Sequence, residues 1–254
     1  MKDLEDIERY LAMMARSKLT DNKVGQGIHP FVTISRQFGA RGHSLANAIL
    51  DRMRELREFS IFDGWQILDK EMCKKILAER NLNVSFDALL AEEYYSQIED
   101  FLSLIGGTVP PSAVRLEIFK LIRKLAILGK VIVVGLGGAC LTRDLPYGVH
   151  VRLAADQDTR VRHMMGLLEL TDKEARKVVA QRDRERAKLI KSFFSKDIDD
   201  PLLYDTICNT DRVPLEEIAD LIIGLIAIKA EKAGFAGTQT LLRQAVSLAA
   251  RSPQ

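Results

Sequence analysis

Several features that mark common protein classes are scarce in this chain, and each scarcity argues against one class of protein or one kind of site. Only 3 cysteines occur among 254 residues, which argues against a disulfide framework and a cysteine-rich metal site. The formal net charge is +2, so the chain as a whole has no strong field toward nucleic acid or a membrane. The most apolar run, Leu221 to Ile228, is far shorter than the ~20 residues that span a bilayer. The charged start does not read as a secretory signal, and we expect a cytoplasmic protein.

The stretch from Phe31 to Leu50 organises the rest of the chain. Its β-branched start, Phe31 to Ile34, predicts a buried strand. Two glycines, Gly39 and Gly42, follow it, and the apolar spacing beyond Ser44 predicts an amphipathic helix. A strand that turns through glycines into a helix N-terminus presents free N–H groups and the positive end of the helix dipole to an anion. The stretch therefore suggests a phosphate loop.

The phosphate-loop pattern itself is incomplete. Laid on Q-F-G-A-R-G-H-S, the pattern G-x-x-x-x-G-K-[ST] fits at Gly42 and Ser44. Gln37 stands at its first glycine, and His43 stands at its lysine. The alternative reading is a glycine-containing strand–helix connection that binds no ligand. The letters of this stretch alone leave both readings open.

Strands alternate with helices along the rest of the chain, which predicts an α/β fold built on a doubly wound parallel sheet. Helices at 1–20 and 237–251 flank this domain and are suited to protein contacts, so a homodimer is compatible with them. An irregular excursion at 81–111 stands where an acceptor could bind. Further strands are predicted at Trp65 to Leu68, Val131 to Val134, Val149 to Leu153 and Leu203 to Asn209.

A second glycine run, Gly135 to Gly138, resembles the start of a dinucleotide fingerprint. Only about ten residues separate Gly138 from the strand at Val149, which leaves no room for a long crossover helix. We therefore expect a turn of small residues that passes close to its neighbours.

A basic helical segment covers Thr171 to Lys191. It reads as a solvated helix face, as a weak nucleic-acid stripe, or as a lid whose arginines close over phosphates. Asp69, at the end of a predicted strand, is placed either to hold hydrated magnesium or an acceptor hydroxyl, or to cap the next helix. These alternatives remain open at this level.

Taken in order, these motifs resemble the cytidylate kinase-like family of P-loop nucleoside monophosphate kinases. The resemblance runs over roughly residues 31–225, and no single motif carries it. Its motifs are I-S-R-Q-F-G-A-R-G from Ile34, L-D-K-E from Leu68, V-I-V-V-G-L-G-G-A from Val131, V-R-L from Val151, D-R-E-R from Asp183 and D-P-L-L-Y-D-T-I-C-N-T from Asp200.

The resemblance implies a three-layer α/β/α P-loop NTPase-type fold with a helical lid, with the kinase-like domain at 31–230 and the lid at 171–195. It implies ATP as the phosphoryl donor, Mg²⁺ as the metal, and a nucleoside monophosphate or another small phosphate-bearing molecule as the acceptor. Carried over by position, the loop that binds the donor phosphates is Gly39, Ala40, Arg41, Gly42, His43 and Ser44.

The same carry-over makes Ser44 the Mg²⁺ ligand, places Asp69 near the acceptor, and places Arg182, Arg184 and Arg186 in the lid, with Arg160 and Arg162 in the same basic lining. His43 replaces the usual lysine, and Arg41 is the residue that could supply its charge. Leu136 stands where the family usually has an arginine.

Two functions follow from these residues. The first is an ATP- and Mg²⁺-dependent phosphotransferase of the cytidylate kinase-like kind. The second is a nucleotide-binding regulatory or structural protein on the same fold that transfers no phosphoryl group, because each lost cation weakens phosphoryl transfer. The balance of charge and the lack of interleaved aromatics disfavour a nucleic-acid partner.

Overall fold

The computed structural model of the protein describes residues 8–10, 12, 29–78 and 113–235, without the side chains of 113–115. Most of the predicted N-terminal helix, the excursion at 81–111 and the predicted C-terminal helix at 237–251 lie outside these residues. None of the described helices is long and apolar enough to cross a bilayer.

Five parallel strands form one sheet in the order β2-β3-β1-β4-β5. Its central strand, β1, pairs with β3 through Val32 and Ile132 and with β4 through Val32 and Val149. The predicted parallel sheet is thereby confirmed. The strands are β1 (Phe31–Arg36), β2 (Gln66–Leu68), β3 (Val131–Val134), β4 (Gly148–Ala154) and β5 (Thr206–Asn209).

The strand order creates a crevice at the carboxyl ends of β1 and β4. These strands are neighbours, but the chain leaves β1 toward β2 on one side and leaves β4 toward β5 on the other. Connections that diverge in this way leave a gap between them, and ligands of open α/β sheets bind at such a switch point. The loop after Arg36 therefore borders the position where a site is expected.

Helices cover both faces of the sheet. On one face, α1 and α7 pack on alternate strand residues such as Val32, Ile34 and Val151, and on the other face α2 and α3 pack on Phe31 and Val133. This arrangement is the predicted three-layer α/β/α architecture. The helices are α1 (Gly42–Glu55), α2 (Lys70–Ala78), α3 (Ala113–Leu128), α4 (Gly138–Leu141), α5 (Gln157–Leu168), α6 (Asp172–Phe194) and α7 (Leu215–Lys232).

The apolar face of α1 packs on the sheet and so fixes the position of the helix N-terminus. Leu45, Ile49 and Met53 form its buried face, as predicted from their spacing. On its flank, Arg52 forms a bidentate ion pair with Asp220 of α7, with Nε–Oδ1 and Nη2–Oδ2 distances of 2.5 and 2.8 Å. These contacts fix the helix that begins directly after the glycine loop.

Two details differ from, or sharpen, the sequence-based expectations. The predicted strand from Leu203 is wrong at its start, because Asp200 caps a 3-10 turn at Pro201–Leu203 and β5 begins only at Thr206. The expected small-residue turn at Gly135 to Gly138 is confirmed. Three consecutive residues there have positive φ, namely Gly135 (81°), Leu136 (59°) and Gly137 (73°), and only the short α4 follows.

Candidate active site

The β1–α1 loop, residues 37–41, has a defined shape that glycine makes possible. Gly39 has φ +89°, and a Cβ atom there would lie 2.8 Å from the carbonyl oxygen of Arg160. The Gln37 backbone N–H donates to the Leu153 carbonyl at 3.0 Å, and the Gln37 side-chain oxygen accepts the Ala155 N–H at 3.0 Å. The loop is therefore anchored to the end of β4.

Arg41 ends the loop in the left-handed conformation, with φ 60°, and stands as the N-cap of α1. Its side chain makes no capping hydrogen bond to the first turn of the helix. A helix start without a side-chain cap leaves its N–H groups for water or a ligand.

Residues of helices α5 and α6 form hydrogen bonds with the β1–α1 loop at Phe38. The Asp183 carboxylate of α6 accepts the Phe38 N–H at 2.7 Å and an N–H of Arg160 at 2.6 Å. Arg160 also donates to the Phe38 carbonyl at 3.2 Å, and the His163 ring lies 2.8 Å from the Gly39 carbonyl. Arg160 of the predicted basic lining thus ties the helix pair to the loop.

Four arginines converge on one pocket of about 220 Å³ at the carboxyl ends of β1 and β4. We call this the arginine pocket. Its arginines come from β1, β4 and α6, and they are Arg36, Arg152, Arg184 and Arg186. Asp183 and Asp199 are the acidic residues of its lining, so positive charge exceeds negative charge there.

Three arginines of the pocket have different surroundings. Arg152, buried in β4, donates to Ser35 Oγ at 3.0 Å and pairs with Asp199. Arg186 lies over the Phe38 ring at 5.1 Å, and burial lowers its pKa while Asp183 raises it. Burial, followed by repulsion from Arg186, lowers the pKa of Arg36 to about 10. A guanidinium group with a pKa of about 10 remains charged at neutral pH.

His43 and Asp69 meet beside the loop, at an Nε2–Oδ2 distance of 3.2 Å. Asp69 also accepts the Met72 N–H at 2.8 Å through its other oxygen, so it caps α2. The cap interpretation is thereby confirmed, and the remaining oxygen is the one that contacts His43. Its side chain is 33% exposed, so the contact with His43 is open to solvent.

Arg41 and Ser44 lie together, but on another side of α1. Both line a groove of about 460 Å³ between α1 and α7, together with Asn47, Leu215 and Glu216. His43 instead faces Asp69. The structure thus brings together Arg41 with Ser44, and His43 with Asp69.

The three predicted arginines of α6 do not all lie at one site. Arg184 and Arg186 line the arginine pocket. Arg182 is exposed and pairs with Glu185 one turn along the helix at 3.0 Å. Arg162 is also exposed and donates to Thr159.

Sequence reasoning missed Arg36, Arg152, Asp183 and Asp199 as candidates. Arg36 and Arg152 offered a usable signal, since each is a charged residue at or near the end of a strand that otherwise reads as buried. Such a position in a parallel sheet faces the ligand-binding edge. Asp183 offered no such signal, because an acidic residue within a basic helix is expected to balance charge on the surface.

A smaller cavity of about 70 Å³ adjoins the arginine pocket and shares Arg36 and Arg186 with it. Tyr204 lines it and donates its hydroxyl to the Ile198 carbonyl at 2.8 Å and to Ser35 Oγ at 3.3 Å. The Gly135–Gly138 turn forms another wall. An anionic ligand in the arginine pocket would therefore have a partly apolar space beside it.

Together, the sheet order, the glycine loop and the arginine-bearing helix above it define a P-loop kinase-like protein. The chain belongs to the cytidylate kinase-like family, whose family model matches residues 31–212. The family resemblance inferred from the motifs is thereby confirmed.

Solved structures resemble this chain at low sequence identity, and one of them has the same fold. A structure of an uncharacterized protein from Eubacterium ventriosum ATCC 27560 has a TM-score of 0.60 and 18% identity, and the match covers 78% of this chain and 98% of that chain. A gluconokinase from Sinorhizobium meliloti 1021 has a TM-score of 0.43 and 14% identity, with 84% and 99% covered. A shikimate kinase from Bacteroides thetaiotaomicron has a TM-score of 0.37 and 14% identity, with 85% and 97% covered. Comparison with curated proteins gives no match.

Proposed function

We propose that the protein is an ATP- and Mg²⁺-dependent phosphotransferase whose acceptor is a small phosphate-bearing molecule, with a nucleoside monophosphate as the first candidate. The observation that carries this proposal is the arginine pocket beside the β1–α1 loop. Phosphoryl transfer needs positioned positive charge more than covalent chemistry from the protein. Four arginines at a switch point next to a helix N-terminus meet that need.

In the proposed reaction, an acceptor phosphate oxygen forms a bond to the γ-phosphorus of ATP while the bond from that phosphorus to the β–γ bridging oxygen breaks, and ADP leaves. Arg184 and Arg186 of α6 would contact the phosphoryl oxygens of donor and acceptor. The loop from Gly39 to Ser44 would hold the donor phosphates through its N–H groups.

The residues present fit a magnesium ion delivered with the nucleotide. In the described ranges no three residues among His, Cys, Asp and Glu come together as a metal cage. Magnesium in such enzymes is held by one or two carboxylates, substrate phosphates and water, so Asp69 is a sufficient carboxylate. Mg²⁺, when bound, neutralises phosphate charge during transfer. The Ser44 hydroxyl, predicted as its ligand, lines the α1–α7 groove with Arg41.

A second function is favoured by one observation. His43 stands at the lysine position and is already engaged by Asp69 at 3.2 Å. A loop with that cation missing could bind a nucleotide without transferring its phosphoryl group. A nucleotide-binding regulatory or structural protein on this fold, acting through contacts of its terminal segments, is therefore the alternative.

The test measures ADP formation by the full chain with Mg²⁺ and ATP against a panel of nucleoside monophosphates. We expect turnover with at least one acceptor, and a loss of roughly 100-fold in Arg186→Gln, because that arginine lines the pocket. Arg176→Gln is the matched control on the same helix, since Arg176 pairs with Asp172 and Asp158 instead.

The outcomes separate the two functions. ATP binding without turnover on any acceptor would favour the regulatory alternative. If ATP with Mg²⁺ neither binds nor raises the melting temperature, both functions are wrong. An equal loss of activity in Arg176→Gln and Arg186→Gln would remove the arginine pocket as the basis of the proposal.

A further inference from the structure

The β1–α1 loop lacks the lysine that normally reaches across it, and neither neighbouring substitute fills the same place. His43 points to Asp69, and its side chain is 55% exposed. Arg41 is exposed and lines the α1–α7 groove, on another side of the helix. The space beside Gly42, at the start of α1, is instead occupied by the side chain of a residue that precedes the loop pattern.

That residue is Arg36, the last residue of β1. Its side chain runs between the first residue of α1 and the turn after β3. A Cβ atom on Gly42 would lie 3.1 Å from its Cδ, and a Cβ atom on Gly135 would lie 1.9 Å from its Nη1. Both neighbours are glycines, and the side chain occupies the space that larger residues would fill.

Arg36 also differs in its charge balance from three neighbouring arginines, Arg152, Arg160 and Arg186. Arg152 pairs with Asp199, Arg160 pairs with Asp183 at 2.6 Å, and Arg186 lies 3.8 Å from Asp183. Within the described part of the chain, the Arg36 guanidinium has neither a carboxylate nor another acceptor at hydrogen-bond distance. It lines both the arginine pocket and the smaller cavity beside it.

Arg36 is half-buried, and a partly desolvated cation without a partner is a cost to the folded protein. Of the charged groups that act on Arg36, Arg186 repels it and Asp69 attracts it without a direct contact. The planar guanidinium has donors that match two phosphate oxygens at once. The side chain is therefore arranged for an anion that arrives with a ligand.

We propose that Arg36 binds the donor phosphates directly and supplies the positive charge of the lysine that the loop lacks. This inference rests on the proposed function, because it assigns a residue to the same phosphate site. It also replaces Arg41 as the source of that charge. Arg36 is thus a candidate catalytic residue that stands outside the familiar loop pattern.

The test combines two readouts on Arg36→Gln, namely the melting temperature without ligand and the affinity for ATP with Mg²⁺ by calorimetry. We expect an unchanged or higher melting temperature, because an unpaired, partly desolvated charge is removed. We expect affinity to fall roughly tenfold or more, the usual effect of losing a hydrogen bond to a charged group. Arg36→Lys should retain part of the affinity, since it keeps the charge without the planar fork.

Two further variants make the result specific. Arg41→Gln should weaken ATP binding less than Arg36→Gln does. Arg54→Gln, on the exposed end of α1, should bind ATP as tightly as wild type. The inference is overturned if Arg36→Gln binds ATP like wild type, if it lowers the melting temperature with affinity unchanged, or if Arg41→Gln causes the larger loss.

A separate probe distinguishes failure of this inference from failure of the proposed function. If wild type does not bind ATP, the same variants are titrated with inorganic pyrophosphate. Pyrophosphate binding that is lost in Arg36→Gln would support the phosphate-binding role although the kinase proposal had failed. Pyrophosphate binding that survives the substitution, or is absent from wild type, would contradict it.

Discussion

Asp183 of α6 accepts the backbone N–H of Phe38 at 2.7 Å, which joins the arginine-bearing helix directly to the β1–α1 loop. Its second oxygen accepts an N–H of Arg160 at 2.6 Å, and the Arg160 side chain is 9% exposed. One carboxylate thus holds the loop and neutralises an enclosed arginine.

Replacing this carboxylate should destabilise the protein. Asp183→Ala leaves the Phe38 N–H and Arg160 without their acceptor, and we expect the free energy of unfolding to fall by ~2 kcal/mol. Asp183→Asn keeps an acceptor without the charge and should lie in between. Urea denaturation measures both. Glu185→Ala, two residues away on the exposed side of the same helix, should change stability little. Equal effects at the two positions would contradict the role of Asp183.

Gly39 should not tolerate a side chain. A Cβ atom in Gly39→Ala would lie 2.8 Å from the Arg160 carbonyl oxygen, at a φ of +89° that disfavours alanine. We expect a loss of ~2 kcal/mol in the free energy of unfolding. Gly166→Ala is the matched control, because nothing lies within 4 Å of its Cβ position in α5. That control should gain up to ~1 kcal/mol from its higher helix propensity. A Gly39→Ala protein as stable as wild type would show that the loop has another shape.

Stability should fall as the pH drops from about 6.5 to about 4. Burial lowers the pKa of His29 and of His150 to about 4, against 6.5 in an unfolded chain. In that window the unfolded chain binds more protons than the folded one, so each histidine removes at most ~1.4 kcal/mol per pH unit. Around His150, Asp205 raises the pKa and Lys229 lowers it.

Urea denaturation at pH 7.0 and pH 5.0 tests this dependence. His150→Gln should reduce the pH dependence by removing one of the two contributions, at the cost of the contact between His150 Nδ1 and Thr33 Oγ1 at 2.8 Å. Equal stability of wild type at the two pH values would contradict the burial of both histidines in neutral form.

The elements that depend on local pattern could be predicted from the sequence. The β-branched run at Val131 to Val134 forms β3, and the spacing of Leu45, Ile49 and Met53 gives the buried face of α1. The turn at Gly135 to Gly138 followed from the short distance to the next strand. The start of β5 could not be predicted, because Asp200 and Pro201 impose a 3-10 turn on residues whose sequence suggests an extended strand.

The site was predicted only in part, because its charges are paired over long distances. Asp69, His43, Arg184 and Arg186 were recognised from motifs and lie around the loop. Whether a given arginine points at a ligand or at a carboxylate depends on residues far along the chain. Arg152 and Asp199 are such a pair, as are Arg160 and Asp183. No spacing rule connects these positions, so the unpaired state of Arg36 appears only in three dimensions.

The most direct test of this account is a crystal structure of the protein with Mg²⁺ and a non-hydrolysable ATP analogue. We expect phosphate oxygens within hydrogen-bond distance of the Arg36 guanidinium and of the N–H groups at the start of α1, with Arg184 and Arg186 facing the terminal phosphate. Phosphates bound by Arg41 in the α1–α7 groove, with Arg36 untouched, would contradict it.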